Sequence, residues 1–254
     1  FSSLINEGIK LVKEHNIDFI LAVGGGSVID SAKGIGLGSK YDGDLWDIYL
    51  RKATPVDHTP VGVILTIPAA GSEMSASAVV TNMELNMKRG FGSEHNRCLF
   101  AVMNPELTYS VSKYQTACGV VDIMAHTMER YFVPLPPTDI TDRIAESVLK
   151  ATISAGKTLM ENPEDYDARA NMMWASSLSH NGLTGFGADG GDWAPHKIEH
   201  ELSGMFDVAH GAGLSAIWAS WARYVYKALP HRFCAFAEHV MDIPREEDQE
   251  HMAL

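Results

Sequence analysis

The fold is decided by residues 17–38, IDFILAVGGGSVIDSAKGIGLG. The first seven residues are an apolar run with branched and aromatic side chains, which predicts a buried β-strand. Three glycines follow, and then a helical pattern for which Ser27 is the predicted cap, paired with Asp30. A strand, a glycine turn and a helix present backbone N–H groups to an anion such as a phosphate. Because the motif is neither GxGxxG nor a P-loop, a plain tight turn is an equal alternative.

Two further strands are predicted downstream of this unit, over the apolar runs 61–67 (VGVILTI) and 97–102 (RCLFAV). Together with the helical patterns around them, they predict an α/β fold with a mostly parallel sheet. After about residue 111 the patterns are helical only. We therefore expect an α/β dinucleotide-binding domain over residues 1–111 and an all-helical domain over residues 112–254, with a cleft between them.

Local signals set the expected bounds of the helices in the second part. Ser112 and Gln115 form a capping box that predicts a helix start. Asp139 or Thr141 is the expected cap of the next helix, and glycines near residue 185 should end the third. The sequence opens inside an amphipathic helical pattern and stops without finishing an element. We therefore expect material to be missing at both ends.

Two segments of the second part have the spacing of metal ligands. Residues 118–131 (CGVVDIMAHTMERY) contain Asp122 and His126, which share one face of a helix because they are four residues apart. Residues 192–210 (DWAPHKIEHELSGMFDVAH) contain three histidines within fifteen residues. These are His196, His200 and His210. Neutral imidazoles and one carboxylate suit Zn²⁺ or Fe²⁺, so the two segments predict a metal centre.

Composition excludes several classes of protein. Of the 254 residues, 46% are hydrophobic and 20% are charged, which is typical of a globular protein with ample core. The net charge of −12 argues against nucleic-acid binding. No apolar run is long enough to cross a bilayer, and no cleavable signal is visible. Three cysteines without CxxC spacing favour reduced thiols and a cytoplasmic location.

Other interpretations compete with the predicted metal centre. Residues 196–200 spell H-x-x-E-H, the signature of inverted zinc peptidases, in which Glu199 would be the base that activates water. That interpretation leaves Asp122, His126 and the glycine turn without a role. A catalytically silent scaffold or filament subunit is a third class. The remaining histidines, including His180, are expected to be ordinary core or surface residues.

Four motifs occur in one order, namely GGGSVIDSAK, PAAGSE, GVVDIMAH and HKIEHELSGMFDVAH. With these motifs the chain resembles the iron-containing alcohol dehydrogenase family, in particular its NAD(P)H-dependent butanol dehydrogenase and broad aldehyde reductase branch. The resemblance implies an α/β nucleotide-binding domain followed by an all-α metal-binding domain, the dehydroquinate synthase-like architecture. The implied metal ligands are Asp122, His126, His196 and His210. The implied pyrophosphate-binding turn comprises Gly25, Gly26 and Ser27 with Asp30.

The resemblance also implies roles for residues outside these two sets. Thr66, Ser75 and Lys88 correspond to contacts with the nicotinamide half and ribose of the cofactor. His200 corresponds to a catalytic histidine near the nicotinamide, and an ordinary pKa of about 6.5 would suit it to relay a proton.

The function implied is a metal-dependent oxidoreductase, acting as a homodimer, that transfers a hydride between NAD(P)H and small aldehydes or primary alcohols. The resemblance leaves open whether the nicotinamide cofactor is NAD(H) or NADP(H), and whether the metal is Fe²⁺ or Zn²⁺. Glycerol dehydrogenase shares the architecture and is the alternative within the superfamily.

Overall fold

In the computed structural model, which describes residues 2–246 and 252–253, an α/β part precedes a helical part. The helices of the first part are α1 (Ser2–His15), α2 (Gly26–Ser39) and α3 (Leu45–Tyr49). Its strands are β1 (Ile20–Gly24), β2 (Val61–Leu65), β3 (Ser77–Asn82), β4 (Met87–Gly92) and β5 (Ala101–Val102). The helices of the second part are α4 (Lys113–Tyr131), α5 (Asp139–Glu161), α6 (Tyr166–His180), α7 (Ala194–Phe206), α8 (His210–Val225) and α9 (Pro230–His239).

A parallel sheet in the order β1-β2-β5 carries the strand–turn–helix unit, as predicted. Two details differ from the sequence-based prediction. β1 is buried on one face only, since Leu21 and Val23 are 49% and 55% exposed. No described element covers their face, so the alternation along β1 is that of a half-buried strand. The third strand is limited to β5, because only Ala101 and Val102 pair in register with β2.

An antiparallel hairpin of β3 and β4 was not predicted. Two charged side chains of α2 hold this hairpin. Asp30 accepts a hydrogen bond of 2.8 Å from the Val79 N–H, and the Lys33 ammonium donates to the carbonyl of Ser77 at 2.8 Å. Both side chains are buried, so the hairpin is fixed against α2 by charge-assisted hydrogen bonds.

The start of α2 differs from the predicted capping box. Its N-cap residue is Gly25, and Ser27 lies inside the first turn without capping it. The physical reason is close packing: a Cβ at Gly25 would lie 2.0 Å from Cγ2 of Ile67. The chain therefore enters the helix directly from the end of β1, and the first N–H groups of α2 are not bonded by a capping side chain.

Of the three other predicted helix ends, one is confirmed and two differ. Ser112 caps α4, since its hydroxyl accepts from the Gln115 N–H at 3.2 Å. Neither Asp139 nor Thr141 caps α5, whose N-cap is Thr138, with no hydrogen bond from its side chain. α6 ends at His180, before the glycines near residue 185, and the left-handed Gly182 follows.

The segment after β2 joins the two parts of the molecule. The Gly71 N–H donates to the Ser176 hydroxyl at 3.1 Å, and the Ser177 hydroxyl donates to buried Glu73 at 2.6 Å. These bonds anchor the segment on α6. The domain boundary near residue 111 stays a prediction. None of the helices within the described ranges has the length and apolar character needed to span a membrane.

Candidate metal centre and cofactor cleft

The four predicted metal ligands lie close together, and the donor atoms of Asp122, His126 and His196 are within 4.8 Å of one another. α4 carries Asp122 and His126, α7 carries His196, and His210 is the first residue of α8. Oδ1 of Asp122 lies 3.2 Å from Nδ1 of His126, 3.7 Å from Nε2 of His196 and 3.6 Å from Nε2 of His210. The first three side chains are buried and His210 is partly exposed, so the cluster is closed on one side and open on the other.

The donor atoms of this cluster fit a divalent cation. Oδ1 of Asp122 and Nε2 of His196 are buried, and neither has a hydrogen-bond partner in the described part of the chain. A buried polar atom without a partner is costly unless a ligand satisfies it. Two ligands about 2.1 Å from one ion at a tetrahedral angle are about 3.4 Å apart. The distances of 3.7 and 3.6 Å from Oδ1 of Asp122 to the Nε2 atoms of His196 and His210 are close to that value.

Oxygen acceptors hold the other nitrogen of each histidine. Glu129, which is fully buried, accepts from Nδ1 of His196 at 2.8 Å and from its backbone N–H at 3.0 Å. The backbone carbonyl of Asp122 lies 2.9 Å from Nδ1 of His126, and Glu199 binds Nδ1 of His210. A carboxylate or carbonyl on one ring nitrogen fixes the tautomer and leaves the other nitrogen free for a metal. Glu129 was missed from the sequence.

The electrostatics of the cluster favour an ionised carboxylate. Burial alone would raise the pKa of Asp122, but the charges of His126 and His210 hold that pKa well below its usual value. Burial lowers the pKa of His126 to about 4. Burial would also lower the pKa of His196, yet the nearby carboxylates of Asp122 and Glu129 raise it to about 9. An anionic carboxylate among imidazoles attracts a cation.

His200 lies beside this cluster. Its ring centroid is 6.4 Å from that of His196 and 5.6 Å from that of His210. Burial, followed by the nearby charge of Lys88, lowers the pKa of His200 to about 3. The expectation of an ordinary pKa near 6.5 therefore does not agree with the surroundings of this ring, which keep it neutral at neutral pH.

Glu199 does not have the surroundings of a peptidase base. Its side chain is fully buried, with one oxygen bonded to His210 and 3.7 Å from the Lys88 ammonium. The other oxygen accepts from the Ser203 hydroxyl. A base that activates water must reach that water, and both oxygens of Glu199 are already engaged. The H-x-x-E-H interpretation is not supported.

His180 lies in this site, although the sequence predicts an ordinary core or surface histidine. Its ring centroid lies 4.2 Å from that of His126, and its Nδ1 lies 3.3 Å from Nη2 of Arg130. The guanidinium of Arg130 lies over the ring of Trp193, 4.5 Å from the centroid. Burial lowers the pKa of His180 well below its usual value. These three side chains form an aromatic and cationic wall next to the metal ligands.

A cleft of about 1300 Å³ joins the cluster to the glycine turn. Its walls include most of the predicted cofactor residues. These are Gly25, Gly26, Ser27, Asp30, Ser75 and Lys88. Thr66 is not among the described residues that line it. The Ser75 hydroxyl already bonds Lys33 and the carbonyl of Ser77. Oδ1 of Asp30 is buried and has no hydrogen-bond partner within the described ranges.

Comparisons with known proteins agree with this geometry. A family model described as iron-containing alcohol dehydrogenase matches residues 2–105, and one for the C-terminal part of the Fe-containing alcohol dehydrogenase family matches residues 116–253. The chain belongs to the iron-containing alcohol dehydrogenase family. This confirms the resemblance seen in the four motifs.

Within the iron-containing alcohol dehydrogenase family, the chain is similar to proteins of stated activity. It is 42% identical over 250 residues to NADH-dependent butanol dehydrogenase A of Clostridium acetobutylicum, covering 98% of this chain and 64% of that protein. It is 36% identical over 253 residues to the NADPH-dependent aldehyde reductase YqhD of Escherichia coli, covering 98% and 65%. The chain thus spans a little under two thirds of the length of these relatives.

A crystal structure supports the fold assignment. NADH-dependent butanol dehydrogenase A from Thermotoga maritima superimposes with a TM-score of 0.96 at 36% identity, over 100% of this chain and 63% of that one. The predicted architecture, an α/β nucleotide-binding domain followed by a helical metal-binding domain, is confirmed.

Proposed function

We propose that this protein is a metal-dependent oxidoreductase that transfers a hydride between NAD(P)H and small aldehydes or primary alcohols. One observation carries the proposal: Asp122, whose buried Oδ1 has no hydrogen-bond partner among the described residues, lines the same cleft that the glycine turn borders. The named activities of the relatives, butanol dehydrogenase and aldehyde reductase, agree with it. A glycerol dehydrogenase-like activity has no specific observation in its favour.

The chain's own groups would hold the metal ion and the cofactor pyrophosphate. Asp122, His126, His196 and His210 would hold the ion, Fe²⁺ or Zn²⁺. When bound, the ion supplies Lewis acidity toward the substrate oxygen. The free N–H groups at the start of α2 would bind the cofactor pyrophosphate, because a helix N-terminus favours anions.

Three side chains of the cleft would act on other parts of the cofactor and on the substrate. Lys88 would contact the nicotinamide half and ribose of the cofactor, and Asp30 would border the pyrophosphate-binding turn. His200, neutral at neutral pH, would accept the proton of the alcohol on one ring nitrogen and release a proton from the other to solvent, as part of general acid–base catalysis. A homodimeric state and a cytoplasmic location belong to the same proposal. Among the described residues, Cys98, Cys118 and Cys234 are not joined in disulfides, which supports the reducing compartment.

Activity with and without metal tests this function. The purified protein should reduce butanal with NADH or NADPH, lose that activity after exhaustive chelation, and regain it when Fe²⁺ or Zn²⁺ is returned. His196→Ala should be inactive. His15→Ala, which changes an exposed histidine on α1, is the matched control and should be fully active. Full activity after complete metal removal, or peptidase activity without any need for a nicotinamide cofactor, would refute the proposal.

A further inference from the structure

Glu199 connects two regions of the cleft that carry different proposed ligands. Its side chain is fully buried in α7. One oxygen binds Nδ1 of His210, and the same oxygen lies 3.7 Å from the ammonium of Lys88 on β4. His210 belongs to the metal cluster of the helical part, whereas Lys88 belongs to the hairpin of the α/β part. A single carboxylate oxygen is therefore shared between the two parts.

The surroundings of Glu199 give it a fixed position. The other oxygen accepts from the Ser203 hydroxyl, one turn further along α7. The side chain of Lys88 is itself mostly buried, with 17% exposure. Interactions between buried charges are screened little by solvent, so the Glu199–Lys88 pair is stronger than a surface ion pair. A change in the charge or position of either partner should therefore affect the other.

A second ion pair between the same two elements provides a contrast. Arg89 of β4 lies 3.4 Å from Glu201 of α7, but both side chains are largely exposed, at 39% and 68%. Glu201 shows no bond to a metal-site histidine in the described residues. Of the two ion pairs between β4 and α7, the one through Glu199 also reaches His210.

We propose that Glu199 is a positioning residue that links metal binding to nicotinamide-cofactor binding, an inference that rests on the proposed function. A metal on His210 makes its Nδ1–H a stronger donor to Glu199, which draws negative charge from the oxygen shared with Lys88 and leaves the ammonium more available to the cofactor. Cofactor binding at Lys88 in turn leaves more of the Glu199 charge for His210, which makes its other ring nitrogen a stronger metal ligand. Each ligand therefore favours the binding of the other, so the linkage is positive and reciprocal.

The linkage is measured by binding, without catalysis. Zn²⁺ affinity of the metal-free protein is determined against a chromophoric chelator, with and without saturating NADH or NADPH, whichever binds the wild type more tightly. Each ligand should tighten the other by the same factor, roughly 5- to 150-fold. Glu199→Gln should weaken Zn²⁺ binding roughly 10- to 100-fold and remove the linkage. Lys88→Met, measured at a cofactor concentration shown to saturate the variant, should also remove the linkage, and Glu201→Gln should keep both the Zn²⁺ affinity and the linkage.

Several outcomes would overturn the inference. Linkage below about twofold in the wild type, a value under the usual range, would refute it. So would a folded Glu199→Gln variant that binds Zn²⁺ like the wild type, or a Lys88→Met variant that keeps the linkage. If Glu199→Gln does not fold, judged by circular dichroism, Lys88→Met decides the question. A wild type that binds neither ligand would refute the proposed function as well, whereas binding of both ligands without linkage refutes this inference alone.

Discussion

At the scale of single residues, the site combines one carboxylate with three histidines, and each histidine has an oxygen acceptor beside its Nδ1. Glu129 fixes His196 through two hydrogen bonds, and Glu199 fixes His210. Carboxylates in this position raise the basicity of a ligating imidazole and set its orientation. His200 lacks such an anchor among the interactions found in the described residues, which agrees with a role outside the metal cluster.

Replacing His200 separates these two roles. His200→Ala should retain the metal, because the four proposed ligands are other residues, while kcat falls roughly 10- to 1000-fold through loss of the acid–base relay. Metal content and steady-state kinetics on the same preparation provide the measurement. Metal loss as complete as in His196→Ala would make His200 a ligand and this assignment wrong.

Much of the metal cluster could be predicted from helical spacing. Asp122 and His126 are one turn apart, and Glu129 continues the same face at i+7, so helical spacing also indicates this residue. His180 could not be found in this way. It lies 54 positions after His126 in the sequence, and only the packing of α6 on α4 brings the two rings within 4.2 Å. Its role depends on tertiary structure.

At the scale of secondary-structure elements, close helix packing sets the position of the ligands. α8 begins with His210 and approaches α4 at the next residue, where a Cβ on Gly211 would lie 2.1 Å from the carbonyl oxygen of Cys118. That distance is shorter than any real Cβ contact, so a side chain at Gly211 would push α8 away from α4. His210 would move with the helix.

A pair of glycine substitutions tests this packing. Gly211→Ala should lower the free energy of unfolding by roughly 1–3 kcal/mol, since overpacking forces the backbone to shift, and should weaken metal binding. Gly204→Ala in α7 is the matched control, because nothing lies within 4 Å of a Cβ there. It should stabilise the protein by about 0.5–1 kcal/mol. Urea unfolding and metal titration report both effects, and equal behaviour of the two variants would contradict the account.

The strand–turn–helix unit was predictable, whereas the β3–β4 hairpin was not. The unit has a clear apolar run and a glycine turn. Residues 87–92, MKRGFG, have two glycines and two cations and lack a strong strand pattern. What stabilises β4 is pairing with β3, and what holds the hairpin is the buried Asp30 and Lys33 of α2. The strand propensity of residues 87–92 carries no information about these long-range bonds.

At the scale of the whole molecule, the cleft brings a proposed anion site and a proposed cation site together. The start of α2 borders it in the α/β part, and the Asp122 cluster borders it in the helical part. The bonds of Gly71 and Glu73 to α6 hold these two walls at a set distance. We propose that the Asp122 cluster is a single metal site.

Element analysis of anaerobically purified protein tests that claim most directly. The wild type should contain about one equivalent of iron or zinc per chain, as expected for a site with four protein ligands. Asp122→Ala and His196→Ala should contain almost none, because each removes a buried ligand, while His15→Ala should match the wild type. A wild type without iron or zinc, or an Asp122→Ala variant with the full metal content, would contradict the account.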